Sequence, residues 1–473
     1  MDVTNLTSPD VSIPFPGGTL RVLGAGRCVT GAMSLFEFGG TRVLVDCGMA
    51  RGADAGAPFP EEVVSVDAVL LTHGHLDHVG ALPELWRLGA QVRIYATPAT
   101  LSLAVIVLED SLRLGGASEQ DRRSFMKWFR KASLGVRYDL WREVRGRNAQ
   151  SRDAGPPGTG GLPPDAGTVR FAFREAGHIL GSSSIELRSP EARLIVSGDL
   201  GRPGIPILRD PFTAWEPEPP VDLVVMESTY GNRTHAPASA MEDELEKIIH
   251  HALRDGGHIL VPAFAIGRTQ TLLYHLNTLV EAGRIKNLPV AIDTPMGIRV
   301  TELYESSRHL YDEDALERLS HGDDPLDFDS LYAVRKGSHS RHLRDEEQSM
   351  LIIAGSGMCT GGRIVGHLRA LLPRPETDVL IVGYQAAGTP GRALLEAASE
   401  GGERWVEFDG EKVKVRAAVH QLSGLSAHAD QGELLAWLAA IPSVGQVVLH
   451  HGEVEAQVGM RLGIMNRNSN TGM

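Results

Sequence analysis

The sequence has few cysteines, no long apolar run and no targeting signal. Only Cys28, Cys47 and Cys359 occur among 473 residues, an odd number with wide spacing, so no disulfide framework is expected. No uninterrupted apolar stretch is long enough to span a bilayer, and residues 1–16 lack the basic and apolar regions of a signal peptide. These absences predict a soluble cytoplasmic protein with no membrane partner, whose cysteines serve as packing residues.

The sequence also lacks an excess of basic residues over acidic ones. The chain carries 46 lysines and arginines against 59 aspartates and glutamates, a formal net charge of -13. This argues against broad, non-specific attraction to nucleic acid, because proteins of that kind usually show a basic footprint. A local basic cleft stays compatible with it, and carboxylates grouped around metal ions would bias the count. The ordinary hydrophobic and charged fractions fit a globular protein of about two or three domains.

What is present is one dense group of metal-ligand side chains. Residues 72–78 have the sequence Thr-His-Gly-His-Leu-Asp-His and follow an apolar run at 68–71. Imidazole and carboxylate together suit zinc or a similar divalent ion, whereas the plain alternative is a polar turn rich in histidine. Gly74 allows a turn that brings His73 and His75 to one side, while Asp77 and His78 can point elsewhere. One loop could thus supply ligands to two metal ions.

Further ligand side chains follow other predicted strands. Asp46 ends an opening hairpin meander, His178 lies between two strands, Asp199 lies between glycines, and His450 and His451 end the last strand. Taken singly, such an aspartate is most often a turn residue and such a histidine is most often structural. Asp46 could also hold a ligand histidine in one tautomer. Because successive strand residues face opposite ways, only one of the two terminal histidines should reach a shared site.

From residue 206 the chain restarts as alternating strands and helices, which predicts an α/β fold with a largely parallel sheet and covering helices. Predicted strands of this segment lie at 222–227, 258–262, 289–293, 350–354 and 378–382. The segment 206–395 is long enough to be a domain inserted into the first, which would comprise 1–205 and 396–473. After the insert, a strand is predicted at 412–418.

Taken in chain order, the strand-end residues resemble those of the metallo-β-lactamase fold. The resemblance implies a four-layer αββα domain with a two-metal site at the sheet edge. The ligands that it assigns are His73, His75 and His178 for one ion, Asp77 and His78 for the second, and Asp199 for both. The order His451-Gly452-Glu453 matches the family's final metal motif, which selects His451 rather than His450.

Four short motifs resemble the β-CASP domain of nucleic-acid-processing enzymes of that fold, bacterial and archaeal relatives of the endonuclease that cleaves mRNA at its 3′ end. They are 227–231 (Glu-Ser-Thr-Tyr-Gly), 262–268 (Pro-Ala-Phe-Ala-Ile-Gly-Arg), 293–296 (Asp-Thr-Pro-Met) and 355–358 (Gly-Ser-Gly-Met). The last is a glycine-rich turn before a predicted helix, which can offer backbone N–H groups to a phosphate or be a tight turn only. Two segments depart from the family pattern: 151–167, a Gly- and Pro-rich predicted surface loop, and 465–473, which is polar and without periodicity.

The resemblance implies a metal-dependent ribonuclease of RNA processing or decay, with zinc as the expected ion and manganese as the alternative. Two ions held by Asp77, Asp199 and the histidines would share a hydroxide that attacks the phosphodiester. His428 matches the histidine that the family places beside the scissile phosphate, and Glu227 matches its acidic partner, which predicts a general acid and its orienting carboxylate. Cleavage inside the strand and from the 5′ end both stay open, and the family is compatible with a homodimer.

Single-stranded RNA is the substrate that the resemblance favours, because DNA-directed members tend to carry an apolar residue where this chain has His451. The residues predicted to contact RNA are Arg268, Ser356, Gly357, Met358 and Arg363, with a further basic cluster at 335–344. Three alternatives stay open: a small-molecule hydrolase, which needs no large insert; a DNA nuclease, which His451 opposes; and a non-catalytic RNA-binding scaffold, which should have lost ligands that this chain retains.

Overall fold

A computed structural model of the chain describes residues 2–5, 11–50, 58–146, 167–235, 238–286, 288–399, 403–422 and 424–471. The loop predicted at 151–167 lies outside these residues except for Gly167. The chain divides into two compact units, one of 1–234 with 428–473 and one of 235–427. No helix in the described ranges is long and apolar enough to cross a membrane.

The strands are short and rich in valine, leucine and isoleucine, as the β-propensity of branched side chains requires. In chain order they are β1 (Asp2–Asn5), β2 (Val11–Phe15), β3 (Gly18–Gly24), β4 (Met33–Phe38), β5 (Thr41–Val45), β6 (Ala68–Leu70), β7 (Arg93–Ala96), β8 (Ser133–Gly135), β9 (Arg142–Arg145), β10 (Thr168–Glu175), β11 (Ser183–Arg188), β12 (Arg193–Val196), β13 (Val221–Glu227), β14 (Ile259–Pro262), β15 (Val290–Ile292), β16 (Leu331–Ala333), β17 (Leu351–Ala354), β18 (Asp378–Ile381), β19 (Trp405–Phe408), β20 (Glu411–Lys414), β21 (Ala418–Gln421) and β22 (Val444–His450).

Several helices begin at a hydroxyl or carboxylate cap that accepts a first-turn N–H, as Thr97, Ser118, Thr294 and Asp312 do. The helices are α1 (Leu76–Val79), α2 (Leu82–Arg87), α3 (Pro98–Leu114), α4 (Glu119–Ala132), α5 (Ala238–Asp255), α6 (Arg268–Glu281), α7 (Pro295–Ser306), α8 (Glu313–Ser320), α9 (Gly337–His342), α10 (Arg363–Leu371), α11 (Pro390–Ser399), α12 (Gln431–Ala439) and α13 (Val454–Thr471).

The first unit contains two seven-stranded mixed sheets. One has the order β1-β22-β13-β12-β11-β10-β9 and the other β2-β3-β4-β5-β6-β7-β8. Their inner faces share one core, in which Leu20 and Phe36 of the second sheet pack with Phe171 and Val448 of the first. Helices α12 and α13 cover the outer face of the first sheet, and α3 and α4 pack on the outer side of the second. The predicted αββα layering is therefore confirmed.

The second unit holds a six-stranded sheet of the order β16-β15-β17-β14-β18-β21, and every pair in it is parallel. Leu260, Ile352 and Val379 on three of its strands pack against Leu368 of α10 in one core. This agrees with the largely parallel sheet predicted for the insert. A separate antiparallel hairpin, β19 with β20, packs on the same core through Val406 and Val413.

The units divide at later residues than the sequence-based bounds of 206 and 395. Strand β13, expected in the insert, pairs in parallel with β12 and β22 of the first unit. Strand β21 pairs with β18 of the second unit. The strand predicted at 412–418 is in fact the second arm of a hairpin followed by the approach to β21. At the C-terminus, the segment from 465 to 471 continues α13 and is helical.

Parallel pairing fixes where the polar residues of the first unit meet. Strands β5, β6 and β7 are parallel neighbours, as are β12, β13 and β22. Their carboxyl ends therefore lie at one edge of each sheet. The residues that follow those ends include Asp46, His73, Asp199, Glu227 and His451.

Candidate metal centre

The loop 71–75 and the short helix α1 present the histidine cluster after β6. Gly74 has the role of a packing glycine, because a Cβ there would lie 2.6 Å from the Cβ of Leu103 on α3. His75 is the N-cap position of α1, and Asp77 and His78 follow on its single turn. The loop thus separates His73 and His75 from Asp77 and His78, as the sequence predicts.

Asp46 supports this loop from behind. Its Oδ1 accepts a hydrogen bond from the Thr72 N–H at 2.8 Å, and its Oδ2 accepts one from the Thr72 hydroxyl at 2.8 Å. The Nδ1 of His78 lies 2.8 Å from the same Oδ2. Because a carboxylate only accepts, this contact places the Nδ1 proton toward Asp46 and leaves Nε2 of His78 free to face the site.

The first ligand group consists of His73, His75, His178 and Asp199, with one ligand atom from each lying within 4.8 Å of the others. His75 Nδ1 lies 3.0 Å from His73 Nε2 and 3.3 Å from His178 Nε2. Asp199 Oδ2 lies 3.6 Å from His73 Nε2 and 3.7 Å from His178 Nε2. Three ring nitrogens and a carboxylate oxygen at these separations are a donor set for a tetrahedral cation site.

The second ligand group consists of Asp77, His78 and His451. His78 Nε2 lies 3.3 Å from His451 Nε2, which in turn is 3.6 Å from Asp77 Oδ2. Asp199 also reaches this group, because its Oδ1 is 3.5 Å from His78 Nε2 and 3.2 Å from His451 Nδ1. The two oxygens of Asp199 therefore face different groups, which is the arrangement expected of a bridging carboxylate.

Burial and neighbouring charge set the ionisation of these residues. Burial lowers the pKa of His73 well below its ordinary value, and burial also lowers the pKa of His75, to about 4. Burial alone would lower the pKa of His78, but Asp199 and Asp46 raise that pKa well above its ordinary value. Burial alone would raise the pKa of Asp199, but the facing histidines hold it well below its ordinary value. Bound cations would displace the remaining imidazole proton at Nε2 of His78.

A buried carboxylate oxygen without a hydrogen-bond donor among the described residues also indicates that these residues suit divalent cations. Asp199 is 2% exposed, and its Oδ1 accepts no hydrogen bond of good geometry from a described residue. A buried carboxylate oxygen without a donor costs free energy that a cation would recover. Close approach of ring nitrogens, as between His73 and His75, is likewise unfavourable unless a proton or a cation lies between them.

His428 and Glu227 lie next to the first group. His428 Nδ1 is 3.3 Å from Glu227 Oε1 and 3.9 Å from Asp199 Oδ2. Glu227 is fully buried, and its two oxygens accept backbone N–H groups of Leu200 at 2.6 Å and Thr229 at 3.2 Å. Burial alone would lower the pKa of His428, but Glu227 and Asp199 raise the pKa of His428 to about 9. The two carboxylates thus favour the charged form of the ring, which is partly exposed.

The structure distinguishes the two histidines at the end of β22. His451 lies in the second ligand group, in a left-handed backbone conformation with φ of 46°. His450 is buried, and its two ring nitrogens make no hydrogen bond to any residue in the described ranges. Burial lowers the pKa of His450 to about 3. Of the two, only His451 lies in a ligand group, and its left-handed backbone just after the strand, rather than strand alternation, sets its direction.

Sequence reasoning missed the hydroxyl side chains that hold the ligands. The Thr229 hydroxyl donates to the His451 carbonyl at 3.1 Å and lies 3.3 Å from Nδ1 of the same residue. The Ser228 hydroxyl donates to the His450 carbonyl at 2.8 Å. The Ser182 hydroxyl accepts the N–H of His178 at 3.0 Å. The position of Ser228 and Thr229 within the Glu-Ser-Thr-Tyr-Gly motif was the one available signal.

The predicted RNA contacts all lie in the second unit. Ser356, Gly357 and Met358 form the turn before α10, and the loop's own acceptors occupy some of its amides, including the Ser356 N–H, which donates to the Gly361 carbonyl. The Arg363 guanidinium is engaged by Asp293 Oδ1 at 2.6 Å and by two backbone carbonyls. Arg268, the first residue of α6, is partly buried. These contacts explain the position of Arg363 without RNA, and its role in binding stays a prediction.

Histidines and aspartates at adjoining strand ends of two facing mixed sheets define a hydrolase of the metallo-β-lactamase fold with clusters able to hold divalent metal ions. Comparison with protein families agrees. Residues 26–248 match the metallo-beta-lactamase superfamily, 269–394 match the Beta-Casp domain, and 412–467 match the Zn-dependent metallo-hydrolase RNA specificity domain. The chain belongs to the β-CASP family of the metallo-β-lactamase superfamily.

Similar proteins extend along most of the chain. Ribonuclease TTHA0252 of Thermus thermophilus is 37% identical over 91% of this chain and 92% of its own length. Transcription termination factor FttA of Pyrococcus abyssi is 31% identical over 92% of this chain and 67% of its own length. The RNase J-like protein of Methanocaldococcus jannaschii is 29% identical over 87% of both chains. Among solved structures, a protein of unknown function from Enterococcus faecalis aligns with a TM-score of 0.49 and 13% identity over 92% of this chain and 94% of that one.

Proposed function

We propose that this chain is a metal-dependent ribonuclease that hydrolyses phosphodiester bonds of single-stranded RNA during RNA processing or decay. The observation that carries the proposal is the pair of ligand groups joined through Asp199, with His428 beside them. A binuclear cation site next to a proton donor is the equipment that hydrolysis of a phosphodiester needs.

In this proposal each of the two ligand groups holds one divalent ion. His73, His75 and His178 hold one divalent ion, Asp77, His78 and His451 hold the other, and Asp199 joins both. When bound, the ions supply a water nucleophile that ionises near neutral pH and positive charge for the phosphate oxygens. Zinc suits the imidazole and carboxylate donors, with manganese as the alternative.

His428 donates the proton to the leaving oxygen. Glu227 holds its Nδ1 side, so the Nε2 side is directed away from that carboxylate and is available to a substrate. Glu227 raises the pKa of His428 and so favours its charged form, and Glu227 in turn is fixed by two backbone N–H groups. A histidine carried on one chain segment and oriented by a buried carboxylate on another is typical of a general acid.

RNA is proposed over DNA for two reasons. Residues 412–467 match a domain described as an RNA specificity domain, and two similar proteins carry the names ribonuclease and RNase J-like protein. His451, present in the second ligand group, was also the residue that favoured RNA in the sequence. A cytoplasmic location fits the three free cysteines, and a homodimer remains part of the proposal.

The test uses 5′-labelled single-stranded RNA and DNA of one sequence, cut by the purified protein and by its Asp77→Ala, His78→Ala variant, with metal content measured on both. We expect cleavage of RNA alone, and loss of both activity and about one ion per chain in the variant. His428→Ala should retain both ions but cleave about 100-fold or more slowly. A wild-type protein that holds two ions and leaves RNA intact would refute the substrate assignment while leaving the metal centre in place.

A further inference from the structure

A row of exposed cations lies on the first unit, the unit that contains the metal centre. Lys127, Arg130 and Lys131 occupy positions i, i+3 and i+4 of α4 and therefore share one face of that helix. Arg93 at the start of β7 donates from Nη1 to the Lys131 carbonyl at 3.1 Å, and Arg137 follows β8. All five side chains are exposed, and we call this set the cationic ridge.

The exposed cations of the ridge lie together without an acidic partner in the described ranges. None of its five cations forms an ion pair with a residue in the described part of the chain. Some exposed arginines elsewhere do pair with acids of their own helix, as Arg87 does with Glu84, Arg113 with Asp110 and Arg392 with Glu396. In a chain of net charge -13, a group of uncompensated cations creates a local field of the opposite sign.

Helix stabilisation accounts for part of the ridge only. Arg130 and Lys131 lie in the last turn of α4, where cations interact favourably with the helix dipole by about 0.3–1 kcal/mol. Lys127 lies before that turn, and Arg93 and Arg137 are not on the helix. The dipole therefore does not explain why the cations continue along the neighbouring strands.

The chain that leaves the ridge contacts the loop that carries His178. Strand β8 is the edge strand of its sheet and is parallel to β7, so its carboxyl end points toward the edge where the ligands lie. After β8, the Tyr138 hydroxyl donates to the Ser182 carbonyl at 2.8 Å, and the Ser182 hydroxyl accepts the N–H of His178. Along this path Leu134 and Leu140 are 48% and 43% exposed. Exposed leucines thus continue from the cations toward a ligand-bearing loop, together with Asp139, whose carboxylate is paired with Arg174.

We propose that the cationic ridge binds the phosphate backbone of single-stranded RNA and guides the strand along β8 to the metal centre. The inference rests on the proposed function, because it takes RNA as the substrate. Cations contact phosphates irrespective of base identity, and the exposed leucines offer apolar contact to unstacked bases. The ridge therefore contributes affinity rather than sequence preference.

The test compares a ridge variant, Lys127→Gln with Arg130→Gln and Lys131→Gln, with a control of equal charge change, Arg87→Gln with Arg113→Gln and Arg254→Gln. Glutamine preserves helix propensity, so α4 should stay folded. Binding of a single-stranded RNA is measured by fluorescence anisotropy from 50 to 200 mM salt, with all proteins carrying His428→Ala so that the RNA survives. Hydrolysis of bis(p-nitrophenyl) phosphate, a substrate too small to span the ridge, is measured with His428 intact.

Three lost phosphate contacts should reduce the slope of log affinity against log salt by about 2, at roughly 0.7 per contact for a single strand. The affinity ratio of wild type to ridge variant should then be about 20-fold larger at 50 mM than at 200 mM salt. The control should follow the wild type, and all three proteins should hydrolyse the small diester equally.

The proposed role of the ridge would be refuted if the ridge variant bound RNA with the wild-type affinity and salt slope. It would also be refuted if the wild type bound no RNA. An equal loss of RNA affinity in the ridge variant and in the control would also refute the proposed role, because the change in net charge alone would explain that loss. Failure of the proposed function has a different signature. A wild type that binds RNA through the ridge but cleaves neither RNA nor the small diester would refute the ribonuclease and leave the ridge standing.

Discussion

Replacement of Asp46 by asparagine tests how the second ligand group is held together. Asp46 accepts three hydrogen bonds at 2.8 Å, two from Thr72 and one from Nδ1 of His78. An asparagine has one acceptor oxygen and one donor NH2 group, so either orientation sets a donor against a donor of Thr72 or His78. The backbone does not oppose the change, because Asp46 has φ of 61°, a conformation that asparagine tolerates.

The expected effect falls on metal affinity. Without the carboxylate, His78 can carry its proton on Nε2, the nitrogen that lies 3.3 Å from His451 Nε2 and 3.5 Å from Asp199. A protonated Nε2 has no lone pair for a cation. Loss of a carboxylate that orients a ligand histidine typically costs 10–100-fold in metal affinity, or about 1.4–2.7 kcal/mol. The weakened ion should be the one that Asp77, His78 and His451 hold.

The assay is titration of metal-free protein with zinc by calorimetry, followed by metal content after dialysis against buffers of fixed free zinc. Wild type should show two binding steps, and Asp46→Asn should retain one and weaken the other. Asp67→Asn is the matched control, because Asp67 Oδ2 accepts the Arg42 N–H at 2.8 Å at the same sheet but contacts no proposed ligand. Two steps of unchanged affinity in a folded Asp46→Asn protein would refute the reasoning.

Three further predictions follow from other contacts. Thr229→Val removes both hydrogen bonds to His451 and should weaken the second ion about tenfold in the same titration, whereas Thr229→Ser should restore it. Burial raises the pKa of Glu175 to about 7, so between about pH 4.5 and 7 the native state holds a proton that the unfolded state has lost, and stability falls as pH rises. Urea unfolding should therefore show Glu175→Gln gaining stability relative to wild type from pH 5 to pH 8, and a constant difference would contradict this. Arg363→Ala removes one of three side chains that contact the buried Asp293 carboxylate, leaving His367 and Ser340, and should cost about 1.5–3 kcal/mol of stability, seen as a lower melting temperature without RNA.

The contiguous part of the site could be predicted because the ligands lie close together in sequence. Histidine and aspartate within seven residues after an apolar strand leave few structural alternatives. His178, Asp199 and His451 carried no such signal, since each is an ordinary polar residue at a strand end. They became predictable only in combination, through the rule that parallel strands bring their carboxyl ends to one edge and through resemblance to a family.

The domain boundaries were harder to predict from the sequence, because a buried apolar strand has the same residue pattern whichever of the sheets it joins. Strand β13 has a buried run that would suit the insert, but its partners are β12 and β22, and the second of these lies more than 200 residues away in sequence. The tail at 465–471 lacks periodicity by itself. It is helical because α13 begins earlier, where Ala456, Met460 and Ile464 form a buried stripe that holds the helix against the sheet.

The segment Glu227 to Tyr230 shows why positioning residues escape a search for ligands. Glu227 contacts His428, Ser228 holds the carbonyl of His450, Thr229 holds His451, and the Tyr230 ring lies 6.1 Å from the His428 ring. Successive strand-end residues thus reach both the proton donor and the second ligand group. A shift of this one segment would move both together, so the proposed metal centre and the proposed general acid are not independent parts. We therefore expect substitutions at Glu227 and Thr229 to be non-additive in cleavage rate, because each changes the position of the backbone that holds the other.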